Sequence, residues 1–295
     1  MTDHAPAPAL RAERLTLAWD RRTVLEDVTL DIPTRRFTAV IGPNGCGKST
    51  LLKAFARILT PVCGTVFLHG DDLRRLSARE AARRLALLPQ GATTPQDITV
   101  FELVSRGRHP HQSFLSQWGP EDETAVTAAL DAAGVASLQE ERVQDLSGGQ
   151  RQRVWLAMVL AQQTETILLD EPTTFLDIAH QYALLELVRA LSTGQGRTCV
   201  AVLHDLQQAA RYADHLVVLA RGGIHAMGTP HEVLTDSLLR DVFDIDARVL
   251  PDPETGERLI IPRRLNAPDV SMLERPRAVT GSRGLRGRGG DEASG

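Results

Sequence analysis

Lysine is almost absent from this 295-residue chain. Lys48 and Lys53 are the only two among 33 basic residues; the others are arginine. Arginine replaces lysine for most surface purposes, so a lysine retained in such a background marks a position to examine. Long apolar runs are missing as well. The longest stretch without Asp, Glu, Lys or Arg is residues 58–70, 13 residues in all, and a membrane-spanning helix needs about 20. No crossing of a bilayer is expected. Residues 1–9 (MTDHAPAPA) have neither the basic nor the apolar part of a signal peptide, so no leader is expected. There is no positive excess: 33 Lys and Arg face 37 Asp and Glu, a net charge of −4, which argues against a general nucleic-acid binder. Cysteine is scarce. Cys46, Cys63 and Cys199 are odd in number and far apart, which suits a reducing compartment better than a disulfide scaffold.

What is present is ample material for one or two domains with a buried core: 42% of residues are hydrophobic. Short β-branched apolar runs alternate with longer helical patterns, which predicts an α/β domain around a mostly parallel sheet. Residues 37–41 (FTAVI), 166–170 (TILLD), 198–203 (TCVAVL) and 216–220 (LVVLA) read as strands. Residues 48–59 read as a helix, with Leu51, Leu52, Phe55, Ile58 and Leu59 at helical spacing. Strand signals vanish over about 90–164, which predicts a helical subdomain within a domain spanning 10–240. Beyond it, residues 247–262 (ARVLPDPETGERLIIP) read as a small antiparallel β portion, a hairpin with a turn at Asp252, Pro253 and Gly256, in an extension over 241–265. Residues 1–9 and the glycine- and arginine-rich 266–295 show no apolar periodicity and are expected to be disordered.

Directly after the strand 37–41 comes Gly42-Pro43-Asn44-Gly45-Cys46-Gly47-Lys48-Ser49-Thr50, a GxxxxGK[ST] loop leading into a helix. The pattern arises by chance in roughly one chain of this length in a hundred, and its strand-loop-helix context lowers that further. Glycines let the backbone N–H groups wrap a phosphate chain, and the helix directs its positive end at the same anion. Lys48 would bridge two phosphates and the Ser49 hydroxyl would hold Mg²⁺. Cys46 reads as a small filler, and Lys53, five residues after Lys48, as a surface residue.

Leu146-Ser147-Gly148-Gly149-Gln150 opens a second helix whose bare N-terminus, capped by Ser147, is a second anion site. One nucleotide does not need two such sites in one chain, which hints that a partner chain supplies one of them. The strand ending in Asp170-Glu171-Pro172 sets two carboxylates at a strand's carboxyl end, where α/β proteins bind ligands. Asp170 would hold Mg²⁺ through water and Glu171 would polarise an attacking water. His204 ends the next strand, in reach of a γ phosphate.

Together these residues resemble the nucleotide-binding subunit of an ABC transporter over about 10–240, which implies a P-loop NTPase core. The resemblance makes residues 42–49 the Walker A loop, Leu146 to Gln150 the signature motif, Gln90 (in LLPQ) the Q-loop glutamine and a metal ligand, and Asp170 and Glu171 the Walker B pair. It makes Asp177 (in FLD) the D-loop aspartate, His204 the switch histidine and Trp19 the aromatic that stacks on adenine, where tyrosine is more usual. It implies a head-to-tail dimer of two copies with ATP and Mg²⁺ between them, one chain giving the Lys48 loop and the other Ser147 to Gly149. Gln90 would carry motion to a separate membrane permease, with the chain peripheral on the cytoplasmic face and an extracytoplasmic binding lipoprotein as an indirect partner.

A narrower resemblance is to ATPases that import ferric siderophores. It is carried by IGPNGCGKSTLL (41–52), ITVFELVSRGRHPHQ (98–112), DEPTTFLDIAHQ (170–181), LHDLQQAARYADH (203–215) and DPETG (252–256). Arg35-Arg36 stands where glycine is more usual, and Gln207 where asparagine is common. Heme, cobalamin and free-metal importers are the near alternatives. A soluble ABC ATPase acting on DNA or ribosomes is opposed by the single Walker A loop, the lack of a heptad run and the acidic net charge.

Overall fold

The computed structural model describes residues 7–92, 97–112, 118–174 and 176–263. Residues 1–6 and 266–295, both expected to be disordered, lie outside these, as does Phe175 of the FLD motif. The first part of the chain forms β1 (Leu10–Trp19), β2 (Arg22–Ile32), β3 (Phe37–Ile41), α1 (Lys48–Phe55), β4 (Cys63–Leu68), β5 (Asp71–Asp72), α2 (Ala78–Arg84) and β6 (Leu85–Leu88). Then come α3 (Val100–Ser105), α4 (Pro120–Ala132), α5 (Gly148–Ala161), β7 (Thr166–Asp170), α6 (Ile178–Gln195), β8 (Thr198–Val202) and α7 (Leu206–Tyr212). The last elements are β9 (His215–Ala220), β10 (Gly223–Gly228), α8 (Pro230–Val233), α9 (Asp236–Phe243), β11 (Ala247–Pro251) and β12 (Arg258–Pro262).

A six-stranded sheet has the order β10-β9-β3-β8-β7-β6, parallel except at its β10 edge. All five residues of β3, of β7 and of β8 are buried, as unbroken apolar runs require when both faces of a parallel sheet are covered. Side chains alternate between the two faces. Phe37, Ala39 and Ile41 enter a core shared with α3, α4, α5, α6 and α7, while Val40 enters a second core with β1, β2, β4 and α1. The fold is the expected α/β arrangement of a mostly parallel sheet, helices and small antiparallel sheets.

The antiparallel sheet β2-β1-β4-β5 was not foreseen strand by strand. Its β1–β2 ladder runs from Leu10↔Ile32 to Trp19↔Arg22 with several register shifts, and Arg14 and Asp27 take left-handed backbones there. The shifts break the period-two pattern that identifies a strand. Ala9, assigned by its sequence to a disordered start, is fully buried; its N–H donates to Ile32 O and its carbonyl accepts from His69 N, both at 2.9 Å.

The first helix is shorter than expected. It ends at Phe55 rather than Leu59 because Arg57 turns left-handed (φ 61°) and the Ile58 and Leu59 amides both return to Lys53 O. Ile58, expected on an apolar helix face, is 62% exposed. Between β6 and β7 the regular elements among the described residues are all helices, apart from an isolated Thr99–Arg142 bridge. A buried arginine ties this part together: Arg108 Nε donates to Asp122 Oδ1 at 2.8 Å, and Nη1 donates to Ala161 O at 2.8 Å and Gln163 Oε1 at 2.9 Å. In the hairpin β11–β12 the pairs run from Ala247↔Pro262 to Pro251↔Arg258. Gln207 of α7 clasps it, donating to Arg258 O and accepting from Ile260 N, each at 2.9 Å.

Candidate functional site: a phosphate loop beside a bridged carboxylate

β3, β8 and β7 are neighbours in the sheet. Their carboxyl ends therefore bring together the loop 42–49, His204 and the pair Asp170-Glu171, which are far apart in sequence. The loop geometry demands its glycines. Gly42 has φ 152°, and a Cβ there would sit 2.2 Å from Leu219 O; Gly47 has φ 107° and abuts Leu25. Gly47 heads α1 without any side-chain cap, so the first N–H groups of that helix stay free for an anion. Lys48 is buried, its Nζ donating to Gly42 O and Pro43 O at 2.9 Å each, so its ammonium lies inside the curl of the loop. Pro43, Asn44, Gly45, Cys46, Gly47, Lys48, Ser49 and Thr50 line a cavity of about 1200 Å³ shared with Trp19, Glu171 and His204. Cys46 is buried among apolar neighbours, and that burial pushes its thiol up, which suits a neutral filler.

The carboxylates are arranged unequally. Asp170 is buried; desolvation pushes its carboxyl up, opposed by the Ser49 hydroxyl, which donates to Oδ1 at 2.7 Å. Glu171 is held at both oxygens: Gln90 Nε2 donates to Oε2 at 2.6 Å and His204 Nε2 lies 2.6 Å from Oε1. Its backbone is left-handed at φ 52°. Ser49, Gln90 and Asp170 are oxygen donors of the hard type that Mg²⁺ takes. Among the described residues no group of three or more His, Cys, Asp or Glu is placed to hold a metal ion.

Trp19, at the end of β1, is half-exposed and its Nε1 donates to Thr50 Oγ1 at 3.2 Å. Ser147, Gly148, Gly149 and Gln150 are not among the residues lining the cavity. They form a closed capping box at the start of α5, in which Ser147 Oγ accepts from Gln150 N at 3.2 Å and Gln150 Oε1 accepts from Ser147 N at 3.0 Å. Asp177 caps α6. Its Oδ1 accepts from His180 N at 2.9 Å, with His180 Nδ1 at 2.6 Å, and these contacts hold its carboxyl below the usual range.

Several residues escaped sequence reasoning, among them Lys53, Asp241 and Val242. Lys53, taken for an ordinary surface residue, is half-buried with its ammonium over the Trp19 ring. Asp241 and Val242 of α9 line the cavity from a segment with no motif. Only the rarity of lysine signalled the first; nothing signalled the others.

This fold and cleft define an ABC-type ATPase. Residues 25–174 match the ABC transporter family, and the chain belongs to that family as an ATP-binding, ATP-hydrolysing subunit. It is 51% identical over 262 residues to the ferric enterobactin transport ATP-binding protein FepC of Escherichia coli strain K12, covering 89% of this chain and 97% of that protein. It is 49% identical over 254 residues to the achromobactin transport ATP-binding protein CbrD of Dickeya dadantii strain 3937, covering 86% and 94%. A solved dimeric bacterial ABC transporter cassette superposes with a TM-score of 0.67 at 25% identity, covering 75% of this chain and 98% of that one. No helix among the described residues is long and apolar enough to cross a membrane.

Proposed function

We propose that this chain hydrolyses ATP to power import of an iron(III)-siderophore or related iron chelate through a separate membrane permease. The observation that carries the catalytic part is Glu171, held between Gln90 and His204 and lining the phosphate-loop cavity. The N–H groups of residues 44–50 cradle the phosphates, and Lys48 exchanges its two carbonyl contacts for β and γ oxygens. Trp19 stacks on adenine. Ser49, Asp170 and Gln90 would hold Mg²⁺, which supplies charge neutralisation to the phosphates when bound. Glu171 orients and deprotonates the attacking water, and His204 steadies the γ phosphate.

The signature residues lie outside this chain's own cavity, which supports a head-to-tail dimer. Ser147, Gly148, Gly149 and Gln150 of a second copy would close over the nucleotide, with Asp177 beside the shared interface. Gln90 touches the catalytic carboxylate directly, so a displacement of its loop by the permease reaches the chemistry in one contact. The chain sits peripherally on the cytoplasmic face of the membrane, and an extracytoplasmic lipoprotein delivers the chelate. The iron-chelate assignment rests on the relatives' transport names.

A deletion strain tests the whole reading. It is expected to fail to grow when a ferric siderophore is the sole iron source, to recover with the wild-type chain and to stay deficient with Lys48→Ala. Normal growth of the deletion strain on every ferric chelate tried would overturn the iron assignment.

A further inference from the structure

Lys53 takes no part in the reaction just described, yet it does not lie idle on the surface. Its ammonium stands 5.2 Å from the centroid of the Trp19 ring, over the ring face. One turn earlier on the same helix, Thr50 is buried and its hydroxyl accepts the Trp19 Nε1 proton at 3.2 Å. Helix positions three apart share a face, so α1 grips the indole twice, along one edge and across one face. The same helix begins with Lys48 and Ser49. Trp19 itself is 46% exposed at the end of β1, where an ungripped indole would sample several rotamers.

We propose that Thr50 and Lys53 form a mount that fixes the Trp19 ring relative to the phosphate loop, with Lys53 covering one ring face so that a nucleobase stacks on the other. Lys53 is then a positioning residue for the base and not a phosphate ligand. The proposal rests on the nucleotide reading of the cavity. Its physical content is preorganisation: a ring already ordered before binding loses less rotamer freedom when the base arrives. Lys53 also has a competing role open to it, because its charge is felt at Asp170. Loss of a purely electrostatic Lys53 would weaken a bare polyphosphate as much as a nucleotide; loss of a mount weakens only the ligand that carries a base.

The test is calorimetry on the full chain with two probes, adenylyl imidodiphosphate and inorganic tripolyphosphate. Lys53→Met is expected to raise the Kd of the nucleotide about three- to tenfold and to leave tripolyphosphate within about twofold. Lys53→Arg, which keeps a cation over the ring, is expected to hold both within about twofold of wild type. In a Trp19→Ala background the Lys53→Met effect should vanish, because the two changes act on one contact. Equal losses for both probes, no loss for the nucleotide, or an undiminished effect in the Trp19→Ala background would each overturn the mount. Failure of the underlying nucleotide reading looks different: Lys48→Ala would then bind tripolyphosphate as tightly as wild type. Should Lys53→Met not fold by its thermal transition, Lys53→Gln carries the same comparison.

Discussion

Glu171 combines a backbone most residues avoid with a side chain most residues could not replace. A left-handed conformation away from glycine costs roughly 1–2 kcal/mol, and it persists because Gln90 and His204 hold both carboxylate oxygens. Glu171→Gln keeps shape and φ preference while removing the base. It is expected to bind ATP normally and to slow single-turnover phosphate release by about 10²-fold or more; release within twofold of wild type would remove Glu171 from that role. Arg35 has the same backbone oddity at φ 56°, within the turn that leads into β3. A glycine at that position would adopt this φ without the Cβ penalty, a constraint that was invisible while only residue types were known. Lys53 was misjudged for a related reason. Helical periodicity says which face a residue occupies, but not that Trp19, a strand away in sequence, folds over that face.

At the level of elements, legibility followed the physics of burial. Strands β3, β7 and β8 are covered on both faces, so their continuous apolar runs identified them almost to the residue. The hairpin β11–β12 was readable from its turn, where Asp252 Oδ1 accepts from Glu254 N and Thr255 N, and Gly256 supplies φ 74°. The ladder β1–β2 was not, because its bulges interrupt the alternation. The end of α1 was overrun because Ile58 and Leu59 continue the apolar rhythm past the point where Arg57 leaves the helix. Gln207 read from the sequence only as a departure from asparagine, yet its longer arm is what spans Arg258 O and Ile260 N. Gln207→Ala removes both bonds, at about 1–2 kcal/mol of local stability. Amide exchange at Ile260 should then speed up about tenfold while amides in β3 and β8 stay unchanged; unchanged exchange at Ile260 would mean that packing alone seats the hairpin.

For the molecule as a whole, acid is the informative stress. Burial pushes the Asp122 carboxyl up, but the Arg108 guanidinium and the Gly119 N–H outweigh it and hold the group below the usual carboxylate range. A carboxyl that binds its proton more weakly folded than unfolded adds stability fully above its unfolded value, near 4, and loses that contribution as pH falls through the native value. Asp122→Asn leaves Arg108 buried without a counter-charge. It should lose about 2–4 kcal/mol at pH 7 and show a flatter decline in urea midpoint below about pH 4 than wild type. Parallel declines would place the acid sensitivity elsewhere. Most of the candidate site was legible at this scale because phosphate chemistry requires fixed residue types at fixed spacing; Asp241 and Val242 were not, since cavity walls supplied by a distant helix carry no such requirement.

The separation of residues 147–150 from this chain's own cavity has a kinetic side. If a working site needs two copies, the rate per chain rises with chain concentration in dilute solution and levels off only where copies are held together. A permease seating two chains raises their mutual effective concentration toward the millimolar range. Copies synthesised in excess of permease would stay dilute and idle, so the cell's ATP pool is drawn on by assembled transporters and spared by the surplus.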